Sequence, residues 1–284
     1  MKYPIRFLFY EVGLLEDQSA DQASQWIQHY DEWNYFVKHL YLSDEGPFAG
    51  EGDSWDGKYA RFYIFAYFDR PMNFRDVLTN LLFSTATNLI VKWDNTGSDE
   101  YPAFYLWNPY DDLQTSVDTI TTSMIVTENG VPRISVSLPS EDERRSLMTV
   151  EFYDARTFRG MNKPDLDKEN LKYNFYYDVR SVQYGWGKKD VVFRSYWLGN
   201  EISAKFCARW WAYWRHTLKE YVELELGAYG FAFEAGDLVT LDITAGNLTL
   251  SGTYLVLDVE EIGDARVRMR LRNIPSDLYS TVFE

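Results

Sequence analysis

The C-terminal part of the sequence alternates apolar and polar residues, and this pattern restricts the fold more than any other feature of the chain. Apolar side chains recur at every second position in residues 222–226, 238–243, 254–259 and 266–271. Turns that contain a glycine separate these stretches, at Gly236, Gly246, Gly252 and Gly263. A period of two is typical of strands with one buried face. Short strands joined by such turns predict an antiparallel meander or barrel.

The sequence before this region contains three segments with helical periodicity, near residues 21–42, 73–90 and 201–218. Asn73 and Asn200 stand where a side-chain oxygen can cap the first turn of the second and third segments. Strand-like segments accompany the helices at residues 61–68, 89–93, 101–107, 120–127, 134–138 and 147–153. We therefore predict an α+β protein that is mainly β.

The length of 284 residues suits two domains of ordinary size. We expect residues 1–132 to form an α+β domain that contains the helices near 21–42 and 73–90. Residues 133–284 are expected to form a mainly β barrel with an inserted segment, residues 160–219, that carries the helix near 201–218. Because 46% of the residues are hydrophobic, a core is possible without disulfides or metals.

The charge balance limits the partners of the chain. It has 28 basic and 43 acidic residues, which gives a net charge of −15. A surface of this sign repels phosphates, so we do not expect a protein that grips nucleic acid by releasing counterions, and we expect no sequence-specific nucleic-acid binding. The same charge is compatible with the wall of a channel past which nucleic acid slides.

Residues that could carry chemistry are few. Cys207 is the only cysteine, so no internal disulfide is possible, which suits folding in a reducing cytoplasm. It lies on the apolar side of its predicted helix, which favours a buried structural thiol over a nucleophile. His29, His39 and His216 stand in no metal-ligand spacing, and neither a GxSxG elbow nor a GxxxxGK[ST] loop occurs. We therefore expect no catalytic, cofactor-binding or metal-binding residues, and no enzyme.

Residues 44–57 are rich in glycine and acid and read as a loop. Glu51, Asp53 and Asp56 could together bind calcium, but they do not follow the ligand order of an EF-hand. A solvated loop is the favoured interpretation, with calcium binding as the alternative. The sequence shows no signal peptide and no run of the roughly 20 apolar residues that a membrane span needs. We expect a chain made in the cytoplasm, with no membrane partner in its free state.

The helix near residues 201–218 is strongly amphipathic. Its apolar half contains Phe206, Trp210, Tyr213 and Trp214, a spacing that favours core or assembly contacts over a sugar-binding platform. Its other half carries the candidate subunit-interface residues Lys205, Arg209, Arg215 and Lys219. These cations form either a solvated face or a docking strip for an acidic neighbour. On the second interpretation, Ala208 and Ala212 would permit close approach.

The order of these segments resembles the core of phage tail-tip hub proteins, the family that includes the lambda-type tip-attachment protein and related phage tail proteins. Short stretches carry the resemblance: residues 12–15 and the helix after them, residues 61–62, 76–78 and 88–94, residues 143–154, and residues 204–209 with 235–239. Family members often have a proline before the Gly-Asp pair, where this chain has Ala235.

This resemblance implies a tail-tube-like antiparallel β-barrel hub domain with a smaller α/β part beside it. Hub proteins of this family associate as rings, commonly trimers, which close or extend the tail tube and leave a lumen for DNA. The resemblance implies a place at the virion tail tip, in contact with the distal tail protein, the tape measure protein and a central fibre or spike. It implies no cofactor.

Two other functions remain open at this point. A carbohydrate-binding β module for receptor recognition would present exposed, coplanar tryptophan and tyrosine rings. A tail-associated glycosidase would have a deep cleft with two opposed carboxylates.

Overall fold

The structure, a computed structural model, describes residues 27–28, 40–42, 58–60, 62, 64, 71–94, 101–113, 115–140, 143, 147–153, 172–178, 190–278 and 282. In chain order the strands are β1 (Ile27–Gln28), β2 (Leu40–Leu42), β3 (Lys58–Ala60), β4 (Asn88–Asp94), β5 (Tyr101–Trp107), β6 (Asp118–Thr121), β7 (Thr127–Glu128), β8 (Val131–Pro132), β9 (Ile134–Ser137), β10 (Leu147–Tyr153), β11 (Lys172–Asp178), β12 (Asp190–Arg194), β13 (Tyr221–Leu226), β14 (Leu238–Ala245), β15 (Leu248–Gly263) and β16 (Arg266–Ile274). The helices are α1 (Phe74–Ser84), α2 (Pro109–Asp112) and α3 (Glu201–His216). The protein is α+β and mainly β, as predicted.

The chain forms two compact units, each built from two separate stretches of sequence. The first unit comprises Met1–Leu89 and Ser146–Ala212, and the second comprises Ile90–Arg145 and Tyr213–Glu284. The predicted boundary near residue 132 lies inside the second unit. Units that interleave along the chain depend on long-range packing, which composition and local periodicity do not report.

The two longer helices begin at their predicted caps. Asn73 Oδ1 accepts the backbone N–H of Asp76 at 2.8 Å, and Asn200 Oδ1 accepts that of Ser203 at 2.8 Å. Helix α1 ends at Ser84 and does not continue to residue 90, since Ala86 has a φ of 59°. A residue in this left-handed region terminates a helix. Helix α3 ends at His216, close to its predicted end.

The helix predicted near residues 21–42 is not formed at the residues that the structure describes there. Strand β1 and strand β2 lie within this range, and β2 pairs antiparallel with β3. Aromatic and β-branched side chains favour extended structure as well as a helical stripe, so the spacing of the apolar residues was an insufficient guide. The remainder of this range, and most of the strand predicted at residues 61–68, lie outside the described residues.

In the first unit, β10 is the central strand of a three-stranded sheet. It pairs antiparallel with β11 and parallel with β12. Every β10 side chain except Glu151 is buried, so both faces of this strand are covered. Glu151 accepts a hydrogen bond from Arg194 Nε on β12 at 3.2 Å.

The second unit contains a six-stranded sheet in the order β6-β14-β15-β16-β13-β9. All of its pairings are antiparallel except that of β14 with β6. The predicted alternation is confirmed in β13 and β16, whose inward side chains are buried in one core. This core contains Ile120, Ile125, Val222, Leu224, Leu226, Phe233, Val239, Leu241, Ile243, Leu250, Tyr254, Val256, Val267, Met269 and Leu271.

One predicted turn is absent from this sheet. Gly252 lies inside the long strand β15, where it pairs with Leu241 and has a φ of 130°. Only glycine adopts this conformation without strain, and here it lies within a continuous strand and does not end it. The turn predicted at Gly263 is confirmed, since Asp264 and Ala265 both have a φ of 53° and connect β15 to β16.

The sheet curls around its core. Ile125, which follows β6 closely, forms a bridge with Leu226 at the end of β13, and Val126 N–H donates to Glu225 C=O at 2.9 Å. In the described part of the chain, β6 and β9 remain the two edges of this sheet, so the closed barrel stays a prediction. Among the described residues, no helix combines the length and apolarity needed to cross a bilayer.

Candidate functional site

The predicted docking strip on α3 is divided between the units. Lys205 and Arg209 belong to the first unit, and Arg215 and Lys219 belong to the second. Lys205 and Lys219 are exposed, whereas Arg209 and Arg215 are half-buried. An interface role for these four cations stays a prediction.

The expected contribution of Ala208 and Ala212 to that strip is wrong. Their exposed fractions are 0% and 1%, so the chain's own packing already covers them. Alanine is common on both buried and exposed faces of a helix. The helical spacing alone therefore assigned Ala208 and Ala212 to the exposed face, although both are buried.

The aromatic side of α3 is a packed surface within the first unit. Trp210 is 1% exposed, and the Trp211 ring is stacked on Phe83 with centroids 4.0 Å apart and planes 8° apart. Trp211 Nε1 also donates to Phe83 C=O at 2.8 Å. None of the tryptophans whose side chains the structure describes is exposed. These rings therefore serve the core, and the described residues contain no tryptophan platform for a sugar.

The remaining candidates for chemistry are structural or lie outside the described residues. Cys207 is fully buried, burial raises the pKa of its thiol, and its Sγ lies 3.7 Å from Phe83 C=O. The prediction of a buried structural thiol is confirmed. Within the described ranges, no group of three or more histidine, cysteine, aspartate or glutamate side chains could hold a metal ion. The acidic loop at residues 44–57, His29 and His39 lie outside those ranges.

Two stretches that carry the family resemblance meet in the second unit. Lys92 on β4 and Asp237, from the Gly-Asp pair, form an ion pair with Nζ 2.6 Å from Oδ1. Their side chains are only 11% and 13% exposed. Asp237 Oδ2 also accepts the backbone N–H of Glu234 at 2.8 Å, and Lys92 Nζ lies 4.4 Å from the centroid of the Tyr105 ring. Solvent reaches little of the pair, and both charged groups have hydrogen-bond or ring partners. Removal of either residue should therefore destabilise the fold strongly.

Gly236 allows this contact to form. It has a φ of 92°, and its carbonyl accepts Trp107 Nε1 at 3.2 Å. A Cβ at this position would lie 2.5 Å from Ile90 Cδ1 and 3.1 Å from Trp107 Cδ1. The turn at residues 235–237 thus fits against β4 and β5 only with glycine at its centre.

A row of arginines follows β16 on the face opposite the core. Arg268 is surrounded by three carboxylates: Glu223 at 3.6 Å, Glu225 at 3.2 Å and Glu260 at 3.5 Å. The hydrogen bond to Glu225 raises the pKa of Arg268, desolvation opposes the rise, and the charges of the three glutamates add to it. Sequence reasoning missed this network, although the matching alternation of glutamate in β13 and arginine in β16 was a visible signal.

The last arginine of the row has a different environment. Arg272 is 6% exposed, its guanidinium carbon lies 3.9 Å from the centroid of the Trp214 ring, and it donates a hydrogen bond to Trp214 C=O. Burial lowers its pKa to about 9, and the charge of Arg215 acts in the same direction. The carbonyl of Trp214 near the end of α3 and the face of its indole contact this cation, and the charges of Tyr221 and Glu143 oppose the lowering of its pKa.

No protein-family model and no curated protein matches the sequence. A chain from the virion of a native gene transfer agent particle matches with a TM-score of 0.51 and 12% identity, over 72% of this chain and 40% of that one. A tail protein from Neisseria meningitidis has a TM-score of 0.45 and 11% identity, over 72% and 56% of the two chains. A 43 kDa prophage tail protein from Shewanella oneidensis has a TM-score of 0.43 and 11% identity, over 74% and 57%.

This chain therefore spans between 40% and 57% of the length of these three proteins. At such low identity these matches show a likeness of fold alone. The comparison rests on the virion chain, whose TM-score is 0.51. The resemblance to phage tail proteins that the sequence indicates is confirmed at the level of the fold, which the chain shares with a subunit of a virion.

Proposed function

We propose that this chain is a structural subunit of a phage tail tip, a hub protein that forms a ring and closes or extends the tail tube. The observation that carries the proposal is the fold shared with a virion chain over 72% of the present chain, at a TM-score of 0.51. The order of sequence motifs that resembles tail-tip hub proteins supports the more specific place at the tip.

Strand β9, an edge of the six-stranded sheet in the described part of the chain, supports assembly into a ring. On β9 and just after it, Val136 and Leu138 are 38% and 76% exposed. Residues 134–138 contain no charge and no proline, the two features with which monomeric proteins protect an edge strand. An unprotected edge of this kind is suited to pairing with a neighbouring subunit.

The contacts of the second unit also suit a structural role. The dry Lys92–Asp237 pair joins β4 to the turn before β14, and the charge network around Arg268 links β13, β15 and β16. Rigid surfaces lose less conformational freedom on association than mobile ones. The net charge of −15 supports a lumen wall, because phosphates are repelled and passing DNA is not retained.

In this proposal the chain is a homo-oligomer, a trimer, and not an enzyme. Its neighbours in the tail are the distal tail protein, the tape measure protein and a central fibre or spike. The carbohydrate-binding alternative lacks a supporting observation, because the described tryptophans are packed in the interior or half-buried.

The proposal is tested by deleting the gene for this chain in the strain that produces the virions. We expect tails without a tip, or no completed tails, and restoration when the full chain is supplied from a plasmid. Normal tails in the deletion strain would overturn the proposal. Turnover of a glycan by the purified monomer would replace it with the glycosidase alternative.

A further inference from the structure

The hairpin formed by β7 and β8 turns at Asn129-Gly130, the only Asn-Gly pair in the sequence. Asn129 has a φ of 53° and Gly130 has a φ of 77°. A two-residue turn in which both φ angles are positive is a type I′ turn, and Asn-Gly is a dipeptide that adopts it with little strain. The local sequence and the backbone therefore agree on this turn.

Solvent surrounds the turn. All residues from 127 to 131 are exposed, and Val131 is 65% exposed. A Cβ placed on Gly130 would meet no atom of the described residues within 4 Å. The peptide bond between Asn129 and Gly130 is thus accessible to water and to base.

Few contacts hold the tip of this hairpin in place. Its base is closed by a hydrogen bond from Arg133 N–H to Val126 C=O at 2.8 Å, and the strands β7 and β8 then continue for two residues each. One of these residues, Pro132, has no N–H to donate. The ion pair between Arg133 and Glu128 is exposed and contributes little. The tip can therefore open locally while the six-stranded sheet stays folded.

An asparagine that precedes a glycine can react with its own backbone. The nitrogen of Gly130 attacks Asn129 Cγ, the new N–Cγ bond closes a succinimide ring, and the bond from Cγ to Nδ2 breaks. The proton lost by the Gly130 nitrogen leaves with Nδ2 as ammonia. Water then opens the ring at either of its carbonyls, which leaves aspartate or isoaspartate. Glycine favours the attack because no side chain shields its nitrogen.

We propose that Asn129 is a site of spontaneous deamidation, at which the native chain gains a carboxylate at the tip of this hairpin. The inference does not depend on the proposed function, since the reaction needs water alone. Both products place a negative charge beside Glu128, where it competes for Arg133. Isoaspartate also adds a methylene to the backbone of a turn that is built from two residues. Because the hairpin leads directly into β9, the reaction alters the segment before this edge strand.

The test is incubation of the full chain at mildly alkaline pH, followed by digestion with trypsin and mass spectrometry of the peptides. Asn247 is the internal control, because it is also exposed and lies in the two-residue turn between β14 and β15, but is followed by Leu248. We expect Asn129 to be converted about tenfold faster than Asn247, or more, since the leucine side chain hinders the same attack.

Asn129→Gln is the matched variant, because it keeps the amide and the net charge but requires a larger ring for the attack. It should abolish the conversion in the hairpin and leave the rate at Asn247 unchanged, and its melting temperature checks that it is folded. A sample unfolded in urea gives the rate for the open chain. Equal rates at Asn129 and Asn247 in the native protein, or conversion of Asn129 in urea alone, would overturn the inference.

Discussion

Lys92 and Asp237 are 145 residues apart in the sequence and their charged atoms are 2.6 Å apart in the second unit. The pair joins β4 to the turn before β14, and solvent reaches little of either side chain. Two of the stretches that resemble tail-tip hub proteins, although far apart along the chain, therefore form one contact.

Removal of one partner should cost more than the pair itself contributes. We expect Lys92→Met to lower the free energy of unfolding by about 3 kcal/mol, because it leaves the Asp237 carboxylate buried without a counter-charge. Urea unfolding measures the loss. The control is Arg133→Met, which breaks the exposed pair with Glu128 and should cost no more than about 0.5 kcal/mol. Equal losses in the two variants would contradict this description of the site.

Alanine substitutions at Gly236 and Gly246 distinguish the destabilising effect of backbone strain from that of crowding by neighbouring atoms. Both have a positive φ, 92° and 61°, but only the Cβ of an alanine at 236 would meet neighbouring atoms. We expect Gly236→Ala to be about 2 kcal/mol more destabilising than Gly246→Ala, since crowding in a packed site adds to the strain. The two unfolding curves give the comparison. A smaller loss for Gly236→Ala would show that Ile90 and Trp107 move aside easily.

The burial of Arg272 predicts an unusual dependence of stability on pH. Its folded pKa of about 9 lies below the ordinary value of 12.5, so above pH 9 the unfolded chain binds more protons than the folded one. Stability contributed by this group is therefore absent at neutral pH and grows as the pH rises. Relative to Arg272→Met, the wild type should gain stability as the pH rises through the alkaline range, since the unfolded chain then binds more protons. A difference that is constant, or that falls with pH, would refute the assignment.

The state of Cys207 gives a test of the packing between α1 and α3 in the first unit. The thiol is fully buried and its pKa is raised, so the reactive thiolate is scarce. We expect iodoacetamide to modify the native protein only at the rate at which it opens, and the urea-unfolded protein at the rate of a free thiol. Mass spectrometry follows the single site. Rapid modification of the native protein would mean that α3 is not packed as described.

The docking strip on α3 has its own test. We expect Arg209→Glu with Arg215→Glu to leave the protein folded but to impair its assembly, because attraction to an acidic neighbour becomes repulsion. Since both side chains are half-buried, the exposed pair Lys205→Glu with Lys219→Glu provides an independent version. Circular dichroism reports the fold, and incorporation into tails reports assembly. Normal incorporation of both double variants would remove the strip from the interface.

The parts of the fold that follow local rules were predictable from the sequence. Val222 and Leu224 are buried because strand geometry alternates faces, and α1 begins at Asn73 because an unpaired N–H needs an acceptor. The strand from residue 248 to 263 was predicted as two, because glycine marks both turns and bends, and the sequence at Gly252 does not distinguish them.

The site was less predictable, because tertiary contacts decide it. Arg272 continues the alternation of Arg266, Arg268 and Arg270, and from the pattern it should be exposed. It is buried because Trp214 covers it, a contact between residues 58 apart. The pairing of Lys92 with Asp237 and the interleaving of the two units likewise depend on how distant segments pack, and a single sequence contains no direct record of that.

The most direct test of the central claim is the position of the chain in the virion. Virions carrying a copy of the chain with a small epitope tag would be labelled with gold-conjugated antibody and imaged by electron microscopy. We expect label confined to the distal end of the tail. Label along the whole tail, label on the capsid, or virions without label would contradict it.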